Sequence, residues 1–389
     1  PRSTHCISSA ASDVYKRQLL KVKSNTILHF LRVILILSFS SPHYAQEDIP
    51  RNVLGRPDFA GYWENLHQIA EQRPERFGER RAYTDEEVSE ILLGMEQNQQ
   101  ARDATLEADR APPQVGAVIT NRADDDFDEF PSELMQINGE YRTSIIVKPP
   151  NGRIQKVEDT IDYYERFRRQ GFRIYDGPEM TGANDRCLHM GWVFPYMGTT
   201  GLSRFGQIVQ TDEFLMILGE YPYTPRIIPI RESGAEGNFF TNKFPRWMGH
   251  SYAFWEGDKL KVITRKIRDE QSNAPANALT RNGLPVSSKT SSVEETYELL
   301  SDAEILYRWE FIDDELLVES VVGEVLLTRM DRGRRIYEYA CHEGNYNLEL
   351  ILRGARRADW DRLQSNYCLL YTSDAADDMQ CVDLGGRRI

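Results

Sequence analysis

The feature that most constrains the fold is a run of short apolar segments joined by tight, mostly acidic turns between residues 206 and 328. Residues 206–210 and 214–221 flank Thr211-Asp212-Glu213, and 251–255 and 259–266 flank Glu256-Gly257-Asp258. Residues 292–299, 305–311 and 316–328 are separated by Ser301-Asp302-Ala303-Glu304 and Ile312-Asp313-Asp314-Glu315, and 336–340 reads as one more strand. Segments this short, linked by so few residues, pair as consecutive antiparallel strands, a meander. Long helices do not alternate with them, which excludes a doubly wound α/β fold. A meander of this length must cover its edges, and closure into a barrel does so outright. A β-sandwich is the alternative. Residues 214–218 and 252–255 are apolar on both faces, so one face can line an interior while the other packs beneath helices. The expected fold is therefore mainly β, an antiparallel meander closed into a barrel with two or three flanking helices.

Helices are expected before the meander. Thr84 with Glu87 fits a capping box, and Val88, Ile91, Leu92 and Met95 follow at helical spacing until Pro112-Pro113. Residues 157–170 carry Ile161, Tyr164 and Phe167 on one helical face, with Gly171 as the stop. The acidic stretch 124–129 lacks the alternating ligands and central glycine of a calcium loop and reads as a solvated loop. Residues 273–292, rich in Asn, Ala, Ser, Thr and Pro, read as a long loop over one end.

The chain divides into a stretch 1–18, an export signal 19–45, an entry segment with its helix 46–115, a barrel-like domain 116–360 and a tail 361–389. The string Ala11-Ser12-Asp13-Val14-Tyr15-Lys16-Arg17-Gln18 resembles a translated sequencing adapter, and so does the tail from Cys368 onward. Lys21 and Lys23 form a basic region ahead of the mostly apolar run 27–39, interrupted by Arg32, and Pro42-His43-Tyr44-Ala45 offers a cleavage point before Gln46. This predicts a periplasmic or secreted protein. No stretch reaches the roughly 18 apolar residues of a membrane-spanning helix, so no stable membrane span is expected. A net charge of −13 argues against a nucleic-acid partner, which demands a positive surface. Cys6, Cys368 and Cys381 lie in the adapter-like ends. In an exported chain the remaining pair, Cys187 and Cys341, is expected to form one disulfide closing a long loop, worth about 4–5 kcal/mol by chain entropy.

Two resemblances add to this. Gly61-x-Trp63 resembles the lipocalin entry motif, which implies a tryptophan plugging one end of a barrel and a glycine that allows close backbone approach. A set of strings is similar to a family of uncharacterised exported bacterial proteins: Pro149-Pro150-Asn151-Gly152-Arg153-Ile154, Asp176-Gly177-Pro178-Glu179, Arg186-Cys187, Gly249-His250-Ser251 with Trp255-Glu256-Gly257-Asp258, and Tyr339-Ala340-Cys341-His342-Glu343-Gly344-Asn345-Tyr346. The strings span roughly residues 57–356, although Leu188-His189-Met190 departs from the Gly/Pro-rich run expected there. This resemblance implies export and a single β-rich unit, and carries no reaction.

Candidate chemistry concentrates in three places. Gly249-His250-Ser251-Tyr252-Ala253 is superficially a nucleophile elbow, but a strand and an acidic turn follow where that motif needs a helix. His250, flanked by Trp247 and Tyr252, and His342 beside Glu343 are candidate acid/base groups. Glu220 shares the strand face of Phe214, Met216 and Leu218 by two-residue alternation, and a carboxylate there would need Arg226 or a histidine as partner. The candidate catalytic set is His250, His342, Glu343 and Glu220, and the candidate ligand-binding set is Arg226, Trp247, Tyr252, Trp255 and Asn345. Cys187-x-His189 with Cys341-His342 offers the donors zinc favours but not the usual spacings, so no metal is expected. Phosphate-cradling and HExxH motifs are absent, and no cofactor is expected. These residues point to a barrel holding an apolar or aromatic small molecule in its interior, with a barrel hydrolase, lyase or isomerase as the alternative.

Overall fold

The computed structural model describes residues 49–103, 133–158, 163–173, 175–181, 186–188, 204–221, 224–233, 239–241, 243–269 and 287–372. The stretch expected as an export signal, the acidic stretch 124–129, His189 and most of the stretch 273–292 expected as a loop lie outside them. In chain order the strands are β1 (Gly61–Glu64), β2 (His67–Gln68), β3 (Glu133–Leu134), β4 (Gln136–Ile137), β5 (Glu140–Tyr141), β6 (Ile146–Lys148), β7 (Phe205–Gln210), β8 (Phe214–Gly219), β9 (Pro225–Pro229), β10 (His250–Glu256), β11 (Lys259–Arg265), β12 (Ser292–Leu299), β13 (Glu304–Ile312) and β14 (Val321–Arg329). The helices are α1 (Asp85–Asp103), α2 (Tyr163–Arg169) and α3 (Asn347–Thr372).

The meander forms as expected. One antiparallel sheet runs β10-β11-β12-β13-β14-β1-β7-β8-β9, with β6 beside β14 off this path. The sheet is nearly closed into a barrel. Just beyond β9, Ile230 bridges Ala253 of β10 in the parallel sense, and the Arg231 amide donates to the Ala253 carbonyl at 2.7 Å. The outer edge of β14 is shared: β1 pairs with Thr328 and Arg329, while β6 pairs with Val322 and Gly323. Residues 336–340, expected as a further strand, join no sheet. Their natural neighbour already has both edges paired, and the Tyr337 amide donates instead to Glu220 Oε2 at 3.0 Å.

Strict alternation sends one face of each strand inward. Trp63, Leu260, Val262, Val293, Ile305, Tyr307, Val325 and Leu327 are all 0% exposed. Their complete burial means the axis is filled there by side chains rather than left hollow. At one end Trp63 is capped by the Arg329 guanidinium, 4.3 Å from its ring, while its Nε1 donates to the Phe59 carbonyl at 2.9 Å. Gly61 makes this possible: its φ is +149°, and a Cβ there would sit 2.2 Å from Arg329 Nη1. Phe59 stacks on Trp255 and meets Tyr297 edge-on, completing the closed end.

The capping box forms as the sequence predicts. The Glu87 amide donates to Thr84 Oγ1 at 3.3 Å, and the Thr84 amide donates to Glu87 Oε2 at 2.9 Å. Val88 of α1 is buried, while Leu92 and Leu93 are exposed. Val157, expected to open the second helix, instead donates its backbone amide to the Leu316 carbonyl; Ile161 lies outside the described residues. Gly171 stops it as expected, at φ +91°. The long helix α3 starts inside the predicted barrel domain and runs into the tail as far as Thr372. It is docked by Arg356, whose Nη1 donates to the Asp176 carbonyl, and by Asp359, which accepts from Arg173 at 2.7 Å.

Candidate functional site

Alternation along β12 places Val293, Glu295, Tyr297 and Leu299 on the inner face. Glu295 is therefore a carboxylate inside the barrel, and it is paired there. Arg226 on β9 reaches across the interior with two parallel bonds, Nη1 to Oε1 at 2.9 Å and Nη2 to Oε2 at 2.6 Å. Arg226 Nη2 also lies 3.3 Å from Ser251 Oγ and from Thr264 Oγ1, and the two hydroxyls are 2.7 Å apart. Tyr297 and Tyr307 donate their hydroxyls to Glu295 Oε1 at 3.1 and 2.9 Å, with their rings stacked. Burial opposes the charge on Arg226, but Glu295 more than offsets it and holds the guanidinium protonated. Burial and the Glu295 charge push both tyrosine hydroxyls well above their ordinary range, so they remain donors. One buried node thus ties β9, β10, β11, β12 and β13 together.

Arg226 or a histidine was expected to pair with Glu220. That pairing is corrected by the inward and outward faces of β8. Leu215 and Ile217 point inward, while Phe214 is 39% exposed. Glu220 follows the outer face and accepts from the Tyr337 amide. The signal for Glu295 was present in the alternation of β12, where a single acidic residue breaks an otherwise apolar and aromatic face.

Above this node, at the end of the barrel away from Trp63, lies a cleft of about 640 Å³. Its walls are β9, the start of β10 and the segment 239–249. That segment runs beside residues 266–268, with the Arg246 amide donating to Lys266 and the Arg268 amide donating back to Arg246. Gly249, at φ +62°, then turns the chain into β10, and a Cβ there would meet the Arg265 carbonyl at 2.7 Å. The cleft presents apolar surface from Ile227, Phe239, Pro245, Trp247 and Met248, with Arg226 and Ser251 at its floor. Trp247 is half-buried between two guanidiniums, Arg268 at 4.7 Å and Arg186 at 5.7 Å from its ring. Lys243 sits 4.6 Å from the Phe239 ring.

The predicted site residues separate. Arg226, Trp247 and His250 line the cleft. His250 Nε2 meets the Phe244 carbonyl at 2.9 Å. Burial holds its pKa below the ordinary imidazole value, and the Arg246 and Lys243 charges add to that, against the Phe244 carbonyl. Tyr252 is buried on the outer side of the sheet among Phe239, Phe240 and Phe254. Trp255 belongs to the closed end, stacked on Phe59 with Arg56 at 5.4 Å. His342 and Glu343 are exposed and Asn345 is half-buried, and none of the three lines the cleft. Asn345 Nδ2 instead lies 2.9 Å from Cys187 Sγ. The four candidate acid/base groups therefore do not gather in this cleft.

Cys187 and Cys341 form the expected disulfide, with Cα atoms 5.6 Å apart. This engages both sulfurs that the alternative zinc set required. Among the described residues, no group of three or more His, Cys, Asp or Glu side chains is placed to hold a metal. No helix among them is long and apolar enough to cross a membrane. The cleft residues beyond Trp247, His250 and Arg226 were missed from sequence, although Lys243-Phe244-Pro245-Arg246-Trp247 mixes cations and aromatic rings densely enough to mark the segment. Set against known proteins, the chain matches no family model, and no curated protein or solved structure is significantly similar to it.

Proposed function

We propose that the chain is an exported small-molecule-binding protein that holds an apolar or aromatic ligand in the cleft between β9, β10 and the 239–249 segment. The observation that carries this reading is the cleft itself: about 640 Å³, walled by Phe239, Trp247, Met248 and Ile227, with polar groups from two strands converging at its base. Cavities of this size and mixture are where proteins bind small molecules. The filled axis moves the ligand from the barrel interior to its mouth. Two further observations support a lipocalin-like reading of the scaffold: Trp63 plugging one end, and Gly61 giving way to Arg329. The disulfide supports an oxidising compartment, in keeping with the export signal and with the resemblance to exported bacterial proteins.

The test is retention. Purified protein is incubated with a metabolite extract, desalted and examined by native mass spectrometry. A bound species of small mass is expected on the wild type, reduced about tenfold or more in Trp247→Ala, which removes the half-buried ring from the cleft wall. Retention unaffected by Trp247→Ala would move the site elsewhere, and no retained species would remove the reading.

A further inference from the structure

We propose that the cleft selects an amphipathic organic anion, in which a carboxylate or similar oxyanion is carried on an aromatic or branched aliphatic body. This rests on the cleft being a ligand site, and it names the charge of the ligand. In the chain as a whole, acidic side chains outnumber basic ones, 60 to 47. Among the described residues lining the cleft the balance inverts: Arg226, Lys243, Arg246 and Arg268 are present and no Asp or Glu is. Arg226 is not the counter-charge, because Glu295 already neutralises it with two bonds at the base. Lys243 and Arg246 are different. Neither has a carboxylate within ion-pair distance among the described residues, and both stand close enough to His250 for their charges to oppose its protonation. The nearest strong partner of Lys243 is an aromatic face, that of Phe239.

Cations over aromatic rings beside an apolar wall form a site with two requirements. The charges favour an oxyanion, and the rings and Met248 favour a greasy body that a free inorganic ion does not have. With His250 neutral at pH 7, an incoming anion meets a net positive rim. Long-range attraction from that rim operates against an acidic molecule, so the field is local to the cleft and sensitive to salt.

Two dyes of nearly the same shape separate these terms. 8-Anilinonaphthalene-1-sulfonate carries a sulfonate, and N-phenyl-1-naphthylamine has the same rings without it. Fluorescence titrations are run on wild type, on Trp247→Ala and on the double variant Lys243→Glu, Arg246→Glu. The neutralising pair Lys243→Gln, Arg246→Gln serves should charge reversal disturb folding. The sulfonated dye is expected to bind at least about tenfold tighter than the neutral one, weaken with added salt, and lose about tenfold or more in the charge variants, while the neutral dye is unchanged there. Equal affinity for the two dyes, both weakened by Trp247→Ala, would overturn the anion proposal while leaving the binding cleft intact. Binding of neither dye would overturn both. Displacement of the dye by inorganic phosphate at equal concentration would show a plain phosphate site and overturn the requirement for an apolar body.

Discussion

At the scale of single residues, the most consequential pair is Arg226 with Glu295, 2% and 0% exposed at the side chain. Removing one member of a buried ion pair leaves the other charged and unmatched, which costs about 3–5 kcal/mol, whereas removing both leaves no unmatched charge, only altered packing and the loss of Glu295 as acceptor for the Tyr297 and Tyr307 hydroxyls. Glu295→Gln is expected to lower the unfolding free energy in urea by about that much, and Arg226→Met with Glu295→Leu to lower it by less than either single change. A larger loss in the double variant would mean that the node contributes net stability. Glu71 gives a pH prediction. Burial pushes its carboxyl up to about 7, so between about 4.5 and 7 the folded chain binds a proton that the unfolded chain has released. The stabilisation belongs to the protonated form, is complete below the unfolded value and is lost as pH rises through 7. Urea midpoints measured from pH 5 to 8 should therefore fall more steeply with rising pH in the wild type than in Glu71→Gln. Parallel profiles would assign the slope to other groups.

At the scale of elements, the meander was readable because its apolar segments are short and the turns between them are short and mostly acidic. The range 292–299 is predicted and found unchanged, and the other strands from β7 to β13 shift by only a residue or two, apart from β9. The elements that were missed lack that signal. β9 begins and ends with proline, and β6 is three residues long, its pairing decided by the free half of an edge on β14. Conversely, 336–340 has strand composition and no partner, since pairing is a property of the neighbours and not of the segment. Trp247, His250 and Arg226 were singled out from their types, and all three line the cleft. Their separation from His342, Glu343 and Glu220 was not, because it depends on which end of the barrel each loop leaves. The disulfide joins Arg186-Cys187-Leu188 to the segment after β14, and that segment is otherwise held by the Tyr337–Glu220 bond and by Tyr339 packed edge-on against Tyr221 at 4.4 Å. Closing a loop of 154 residues is worth about 4–5 kcal/mol in the chain-entropy model. Replacing Cys187 and Cys341 by serine should cost about that in chemical unfolding, and reductant should produce the same loss in the wild type and none in the variant.

At the scale of the whole molecule, the two ends of the barrel are built differently. One is shut by rings and a guanidinium packed on each other. The other carries the cleft beside the seam where β9 meets β10 through a single bridge and one backbone bond rather than a ladder. Composition conveyed the acidity of the molecule but not its distribution, and the cationic rim becomes visible only when 239–249 is laid beside 266–268. The position of β1 has a consequence for biosynthesis. It sits between β7 and β14, pairing Trp63 with Arg329, 266 positions further along the chain, so the first ribbon synthesised waits for almost the last. A nascent chain paused before residue 321 has nothing to lay against that side of Trp63 and exposes an open hydrophobic trough. Contacts this distant in sequence make ring completion slow and place it after synthesis. Under the export proposed above, such a delay would keep the polypeptide slack enough to be threaded through a translocation pore.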